Sequence, residues 1–153
     1  MSGFIGVISD THGQLRDEAL EALAGSDLII HAGDVGDLTI VERLREIAPV
    51  HPVRGNVDRG PLADALPQDA VVRWQGFHLY VLHILDELDL DPAAAGFHAV
   101  IYGHSHKPAI HHKDGVLYLN PGSAGPRRFS LPITVARITQ GDDGLHAEHL
   151  SLE

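Results

Sequence analysis

Short apolar runs that each lead into a potential metal-binding side chain constrain this chain more than any other feature. Phe4 to Ile8 is a β-branched run that passes through Ser9 to Asp10, and it reads as a buried strand opening into a polar loop. Leu28-Ile29-Ile30 repeats the arrangement and leads through His31-Ala32-Gly33 to Asp34, while Val50 to Val53 leads through Arg54-Gly55 to Asn56. Between these runs, Leu15, Ala19, Ala22 and Leu23 recur at helical spacing from Gln14 to Ala24, with Gly25 where a C-terminal cap would sit. Ile40 to Ile47 carries a second helical apolar face, closed by Pro49. Alternating strand and helix predict a sheet flanked by helices, and the carboxyl ends of strands in such sheets converge on one crevice. Asp10, Asp34 and Asn56 are thereby expected to share a site.

The second half is richer in strand signals. Pro61 and Pro67 bracket an irregular stretch, after which Val71 to Trp74 and Phe77 to Leu82, separated by Gln75-Gly76, predict a hairpin that delivers His83. Asp86 to Gly96 predicts a short helix. Ala99 to Tyr102 reads as a strand ending at Gly103-His104, and Val116 to Leu119 as another that follows an Asp114-Gly115 turn. Ile133 to Ile138 and Leu145 to Leu150 form the last predicted hairpin. The order βαβαβ followed by mostly β predicts an α/β fold of two packed sheets with helices outside. No linker, repeat or low-complexity tract divides the chain, so residues 1–153 read as one domain.

A composition of 44% hydrophobic and 21% charged residues is ordinary for a globular domain, and few aromatics mean a core built from Leu, Ile, Val and Ala. The formal charge of -10 repels the phosphate backbone, which argues against polymeric nucleic acid as a partner. No basic segment precedes the first apolar run, and no apolar run approaches the roughly 20 residues of a membrane helix. A cytoplasmic protein without membrane attachment is the expectation, and a homo-oligomer is compatible with it. With no cysteine, disulfides and thiolate metal sites are excluded. The 12 histidines are the compositional anomaly, since imidazole is the commonest nitrogen ligand of metals.

Asp10 and His12 are one residue apart, so on extended chain both side chains project to the same side, and His104-Ser105-His106 repeats that spacing. Gly33-Asp34 and Gly55-Asn56 place an oxygen donor after a residue that permits a sharp turn. Any one of these signals is common. In the order Asp10-Thr11-His12, Gly33-Asp34-Val35-Gly36-Asp37, Gly55-Asn56-Val57-Asp58, His83 and Gly103-His104-Ser105-His106, they resemble the calcineurin-like metallophosphoesterase family over nearly the whole chain. The short length and the Asn120-Pro121-Gly122-Ser123 segment are most similar to that family's small bacterial and archaeal phosphodiesterases.

The resemblance implies a four-layer αββα sandwich and two divalent ions. It assigns Asp10, His12 and His106 to one metal, Asn56, His83 and His104 to the other, and Asp34 to both. Asp34, Asn56 and His104 would also act in catalysis. Mixed carboxylate, amide and imidazole donors suit manganese, iron, nickel, cobalt or zinc better than calcium or magnesium without choosing among them, and manganese is the first expectation. Two such ions roughly 3.5 to 4 Å apart lower the pKa of a bridging water to give hydroxide in line with phosphorus. The implied substrate is a small phosphate ester, a phosphodiester first, with a phosphomonoester or a nucleotide pyrophosphate as alternatives.

Two departures stand out. Val57 lies where many larger members have a histidine that assists the leaving group, so leaving groups needing little protonation, or protonation by water or another side chain, are favoured. Ile84-Leu85 lies where related small members often have Gly-His, which alters substrate contacts beside His83. Arg127 and Arg128 are candidates for holding the substrate phosphate. Asp37 and Asp58 read as turn or capping residues that orient the loops behind the ligands. His31, His51, His78, His98, His111, His112, His146 and His149 read as solvated or structural. A subunit of the retromer trafficking coat shares the fold and much of the metal pattern yet works chiefly through protein contacts. The resemblance therefore also admits a non-catalytic binding scaffold.

Overall fold

The computed structural model describes residues 3–153. In chain order the elements are β1 (Ile5–Ile8), α1 (Asp17–Leu23), β2 (Leu28–His31), α2 (Leu38–Arg45), β3 (Val50–Pro52), α3 (Pro61–Asp64), β4 (Asp69–Trp74) and β5 (Phe77–Leu82). A 3-10 turn at Leu85–Glu87 follows, then β6 (Ala99–Ile101), β7 (Ala109–Lys113), β8 (Val116–Asn120), β9 (Thr134–Gly141) and β10 (Gly144–Ser151). They form two five-stranded sheets, ordered β10-β9-β1-β2-β3 and β4-β5-β6-β8-β7. Each is mixed. In the first, β1, β2 and β3 run parallel while β9 lies antiparallel to β1; in the second, β5, β6 and β8 are parallel between antiparallel edges.

Period-two alternation divides the apolar side chains into layers. Ile5, Val7, Leu28 and Ile30 of the first sheet meet Leu79, Val81, Ile101, Leu117 and Leu119 of the second in the central core. Ile8 and Ile29 point the other way and pack with Ala19 and Leu23 of α1 and Ile40, Val41 and Leu44 of α2. Because β1 and β2 are covered on both faces, they read as continuous apolar runs rather than alternating ones. The outer face of the second sheet, with Tyr80, Leu82, Val100 and Tyr118, is covered by Leu85, Leu88, Leu90 and Phe97. The layers are thus helix, sheet, sheet and a thin segment running from the 3-10 turn.

That thin fourth layer corrects the helix expected over residues 86–96. After the 3-10 turn the chain makes one turn, with the Ala95 N–H bonded to the Asp91 carbonyl and the Phe97 N–H to that of Pro92, both at 2.9 Å. Asp91 Oδ1 accepts from the Ala94 N–H, and Gly96 at φ 85° ends the turn before a second can form. The strand β7 is an element that the sequence pattern does not predict. It is an edge strand whose residues are mostly exposed, so no apolar alternation marks it, and the Asp114-Gly115 turn closes a β7–β8 hairpin rather than merely preceding β8. The short helix α3 lies within the stretch read as irregular, with Pro61 at its start, where a missing N–H does no harm. No helix among the described residues is long and apolar enough to cross a membrane.

Candidate metal centre

The loops that follow β1 and β2 are laced together by the backbone. Asp10 N–H donates to the Gly33 carbonyl, His12 N–H to that of Asp34 and Gly13 N–H to that of Val35, at 3.0, 2.9 and 2.9 Å. Ser123 on the loop after β8 adds its hydroxyl to the Asp10 carbonyl at 3.1 Å. Held this way, Asp10, His12, Asp34, His104 and His106 all take left-handed backbone, with φ of 56°, 48°, 55°, 74° and 64°. Such conformations are uncommon outside glycine and cost of order 1 kcal/mol each, so their clustering marks a site where geometry outranks backbone comfort.

Each buried carboxylate is tied by one oxygen and presents the other. Asp10 Oδ2 accepts from the Ser9 hydroxyl at 2.7 Å and the His104 N–H at 3.2 Å. Asp10 Oδ1 lies 3.4 Å from His106 Nε2, 3.8 Å from His12 Nε2 and 3.9 Å from His83 Nε2. Asp34 Oδ1 accepts from the Val57 N–H at 3.0 Å, while Asp34 Oδ2 lies 3.2 Å from His83 Nε2 and 3.5 Å from His12 Nε2. His83 donates from Nδ1 to the Ala32 carbonyl at 2.7 Å, which fixes the ring and turns Nε2 toward both carboxylates. His12 and His106 bring their Nε2 atoms within 3.3 Å of each other.

Asn56 and His104 stand at the exposed side, joined at 3.1 Å between Asn56 Oδ1 and His104 Nδ1, with the His104 ring 5.4 Å from that of His83. All seven residues singled out as donors therefore lie in one connected cluster. Within it, Asp10, His12 and His106 form one potential ion-holding group and Asp10, Asp34 and His83 another. Both aspartates reach into both halves, whereas the resemblance made Asp34 alone the shared ligand. Asp10 Oδ1 and His83 Nε2 are buried without a hydrogen-bond partner. Buried polar atoms left unpaired are costly, and here they converge on the same point, so the donor set fits a cation.

Electrostatics agree with that fit. Burial pushes the Asp34 carboxyl upward, but the adjoining His83, the Val57 N–H and the charge of His12 outweigh it and hold the group down to about 2. His83 is disfavoured as a cation by burial, yet Asp34 and Asp10 raise its pKa. For His106 burial prevails and, with Arg128 and His12 opposing the pull of Asp10, lowers the value.

The remaining predicted residues behave differently from one another. Asp37 caps α2 by accepting from the Thr39 N–H at 3.0 Å. Asp58 is buried and accepts from the N–H groups of Val35, Gly36 and Gly55 at 3.0, 2.9 and 2.9 Å, pinning the Asp34 loop to the Asn56 loop. Arg127 turns away to pair with Glu153 at 2.8 Å and to donate to the Leu131 carbonyl, which leaves Arg128 as the arginine whose charge is felt at His106. Val57 presents its side chain to solvent.

Asn120 and Thr11 support the site without a role in the sequence reading, and His31, read as solvated or structural, is a buried, hydrogen-bonded support. Asn120 donates to the Gly103 carbonyl and the Ser105 hydroxyl, both at 3.1 Å, and so shapes the His104–His106 loop. Thr11 donates to the Val35 carbonyl at 2.8 Å and accepts from His31 Nε2 at 3.0 Å, while His31 Nδ1 accepts from the Gly33 N–H. Burial pulls His31 down to about 4, so it is a neutral strut beneath the site. An asparagine before Pro-Gly-Ser is the only signal that pointed toward Asn120, and nothing local marked Thr11. Beside Asn56 and His83 a cavity of about 510 Å³ opens.

Comparison with known proteins places this architecture. A probable metallophosphoesterase of Methanothermobacter thermautotrophicus is 31% identical over 147 residues, covering 88% of this chain and 85% of that protein. A structure described as a novel archaeal phosphodiesterase superposes with a TM-score of 0.78 at 22% identity, covering 96% of this chain and 99% of the other. Vacuolar protein sorting 29 of Cryptosporidium parvum superposes with a TM-score of 0.73 at 21% identity, covering 97% and 98%. Residues 4–143 match the calcineurin-like phosphoesterase superfamily domain, and the chain belongs to that superfamily.

Proposed function

We propose that this protein is a phosphodiesterase that uses two divalent metal ions, manganese first among them, to hydrolyse a small phosphate ester. The observation that carries the reading is the convergence of unpaired Asp10 Oδ1 and His83 Nε2 with Asp34 Oδ2 and the Nε2 atoms of His12 and His106. Divalent cations bound there would supply Lewis acidity and activate water as the nucleophile. The chain's own part is to hold the donors rigid, to place Asn56 and His104 at the open side, and to bring Arg128 near His106. Polar side chains there would orient the non-bridging phosphate oxygens. The cavity beside Asn56 and His83 offers room for a second ester group, which favours a diester over a monoester.

A metal-reconstituted screen over bis(p-nitrophenyl) phosphate, p-nitrophenyl phosphate and dinucleoside polyphosphates tests this, with Asp34→Asn as control. Diester turnover that needs metal and is lost in the control is the expected result. Preferred turnover of the monoester or polyphosphate would move the assignment, and full activity in Asp34→Asn would contradict the shared role of Asp34. The scaffold reading finds less support. Val71 and Ile110, two of the large exposed apolar residues, lie on β4 and β7 at opposite edges of the second sheet, so they do not build one docking face.

A further inference from the structure

We propose that the cavity beside Asn56 and His83 receives the ester substituent of the substrate and is built for an alcohol that carries a positive charge, an amino or ammonium alcohol. The inference rests on the phosphoesterase reading and specifies the substrate class of that same site. Asn56 and His83 belong to both the metal centre and the cavity wall, so a group attached to a phosphate at the centre has a direct path into it. Its volume of about 510 Å³ lies within the range of small-molecule pockets.

The wall charges are unbalanced. Asp69 at the start of β4 and Glu87 and Asp89 beside the 3-10 turn outnumber Arg54, while the other ionisable wall residues are engaged elsewhere, Asp58 by its three N–H donors and His83 by the metal centre. Tyr80 donates its hydroxyl to Asp69 at 2.8 Å. Burial, the bond to Asp69 and the negative charges of Asp69 and Asp89 push that hydroxyl up to about 12, so it stays a neutral donor and both carboxylates act on the same point. Leu82 and Ile84 complete an apolar patch on the wall. Ile84 thus acquires a reason: carboxylates around an aromatic and aliphatic surface match an alkylammonium group, whereas an anionic substituent meets net repulsion.

Calorimetric titration of the manganese-reconstituted protein with choline phosphate and with phosphoglycolate tests the charge preference without turnover, using inorganic phosphate as reference. Choline phosphate is expected to bind about five- to tenfold more tightly than phosphoglycolate. In a Glu87→Gln/Asp89→Asn variant, the ratio is expected to fall toward one. Equal affinities in the wild type, or a preference that survives the double substitution, would overturn the assignment of the cavity. If instead inorganic phosphate itself fails to bind and bis(p-nitrophenyl) phosphate is not turned over, the phosphoesterase reading falls and takes the pocket with it.

Discussion

Val57 fastens Asp34 through its backbone while its side chain stands in solvent: the N–H of Val57 donates to Asp34 Oδ1 at 3.0 Å, and the isopropyl group is apolar and has no proton to give. Positioning and proton donation, which a single histidine could combine at this place, are separated here. The backbone half persists and the side-chain half is missing.

Substituting Val57→His should therefore add a proton donor at the mouth of the site without loosening Asp34. Turnover of alkyl diesters, whose leaving groups need protonation, is expected to rise by about 10²-fold or more, with little change for bis(p-nitrophenyl) phosphate. Steady-state kinetics over leaving groups of graded pKa would check this, and a flat response would show that protonation comes from elsewhere.

Asp58 joins two ligand-bearing loops through three N–H donors. Exchanging it for asparagine turns one acceptor oxygen into a donor group facing donors, and should cost roughly 2–3 kcal/mol of stability. Because the pinned loops carry Asp34 and Asn56, manganese affinity should fall about tenfold to a hundredfold. Urea denaturation of the metal-free variant separates the first effect from the second, which a metal titration reads.

Gly33 has φ +106°, and a Cβ there would run into the His83 imidazole. Alanine at this position is strained by its backbone and displaces a ring that the Ala32 carbonyl holds in place. Gly33→Ala should lower metal content per chain and diester turnover together, while leaving the far-ultraviolet circular dichroism spectrum intact. Wild-type metal content in the variant would show that His83 is not needed to hold an ion.

His31 links pH to stability. Its pKa is depressed from the ordinary histidine value of 6.5 to about 4, chiefly by burial, so the unfolded chain takes up a proton that the folded chain refuses. The neutral form's advantage is fully present above pH 6.5 and drains away as pH falls toward 4. For the metal-free protein this amounts to roughly 2 kcal/mol lost between pH 7 and pH 5. His83 acts in the opposite sense, its raised pKa contributing stability at low pH that is lost as pH rises. Comparing urea midpoints of the wild type and His31→Gln at both pH values isolates the first effect, since only the wild type should show its share of the loss.

Much of the architecture could be read before folding because burial imprints itself on composition. β1 and β2 are covered on both faces, so Ile5–Ile8 and Leu28–His31 are almost wholly apolar, and the donors follow at their ends. The β4–β5 hairpin announced itself through Gln75-Gly76, whose φ values of 49° and 84° are those of a tight two-residue turn. Where burial is slight the imprint fades: β7 is exposed along most of its length, and residues 86–96 carry acids, Pro92 and Gly96 in a pattern that permits either a helix or a single turn. Arg127 and Arg128 were indistinguishable as neighbours. Glu153, 26 residues from Arg127, removes one of them from the site.

Taken alone, the amino-acid sequence marked the candidate donors and the strand ends that present them, because residue identity and strand periodicity are local, while their grouping into a metal centre followed from the family resemblance. Only the tertiary structure decided how the donors share work: which oxygen of Asp10 is tied to Ser9 and which is left open, which loops Asp58 binds together, and that Asn120 and His31 support the site. Those roles depend on contacts between distant segments, such as Ser123 on the Asp10 carbonyl and His83 on that of Ala32. Hydrogen bonds are set by atoms meeting in space, and no local pattern specifies a partner that lies far along the chain.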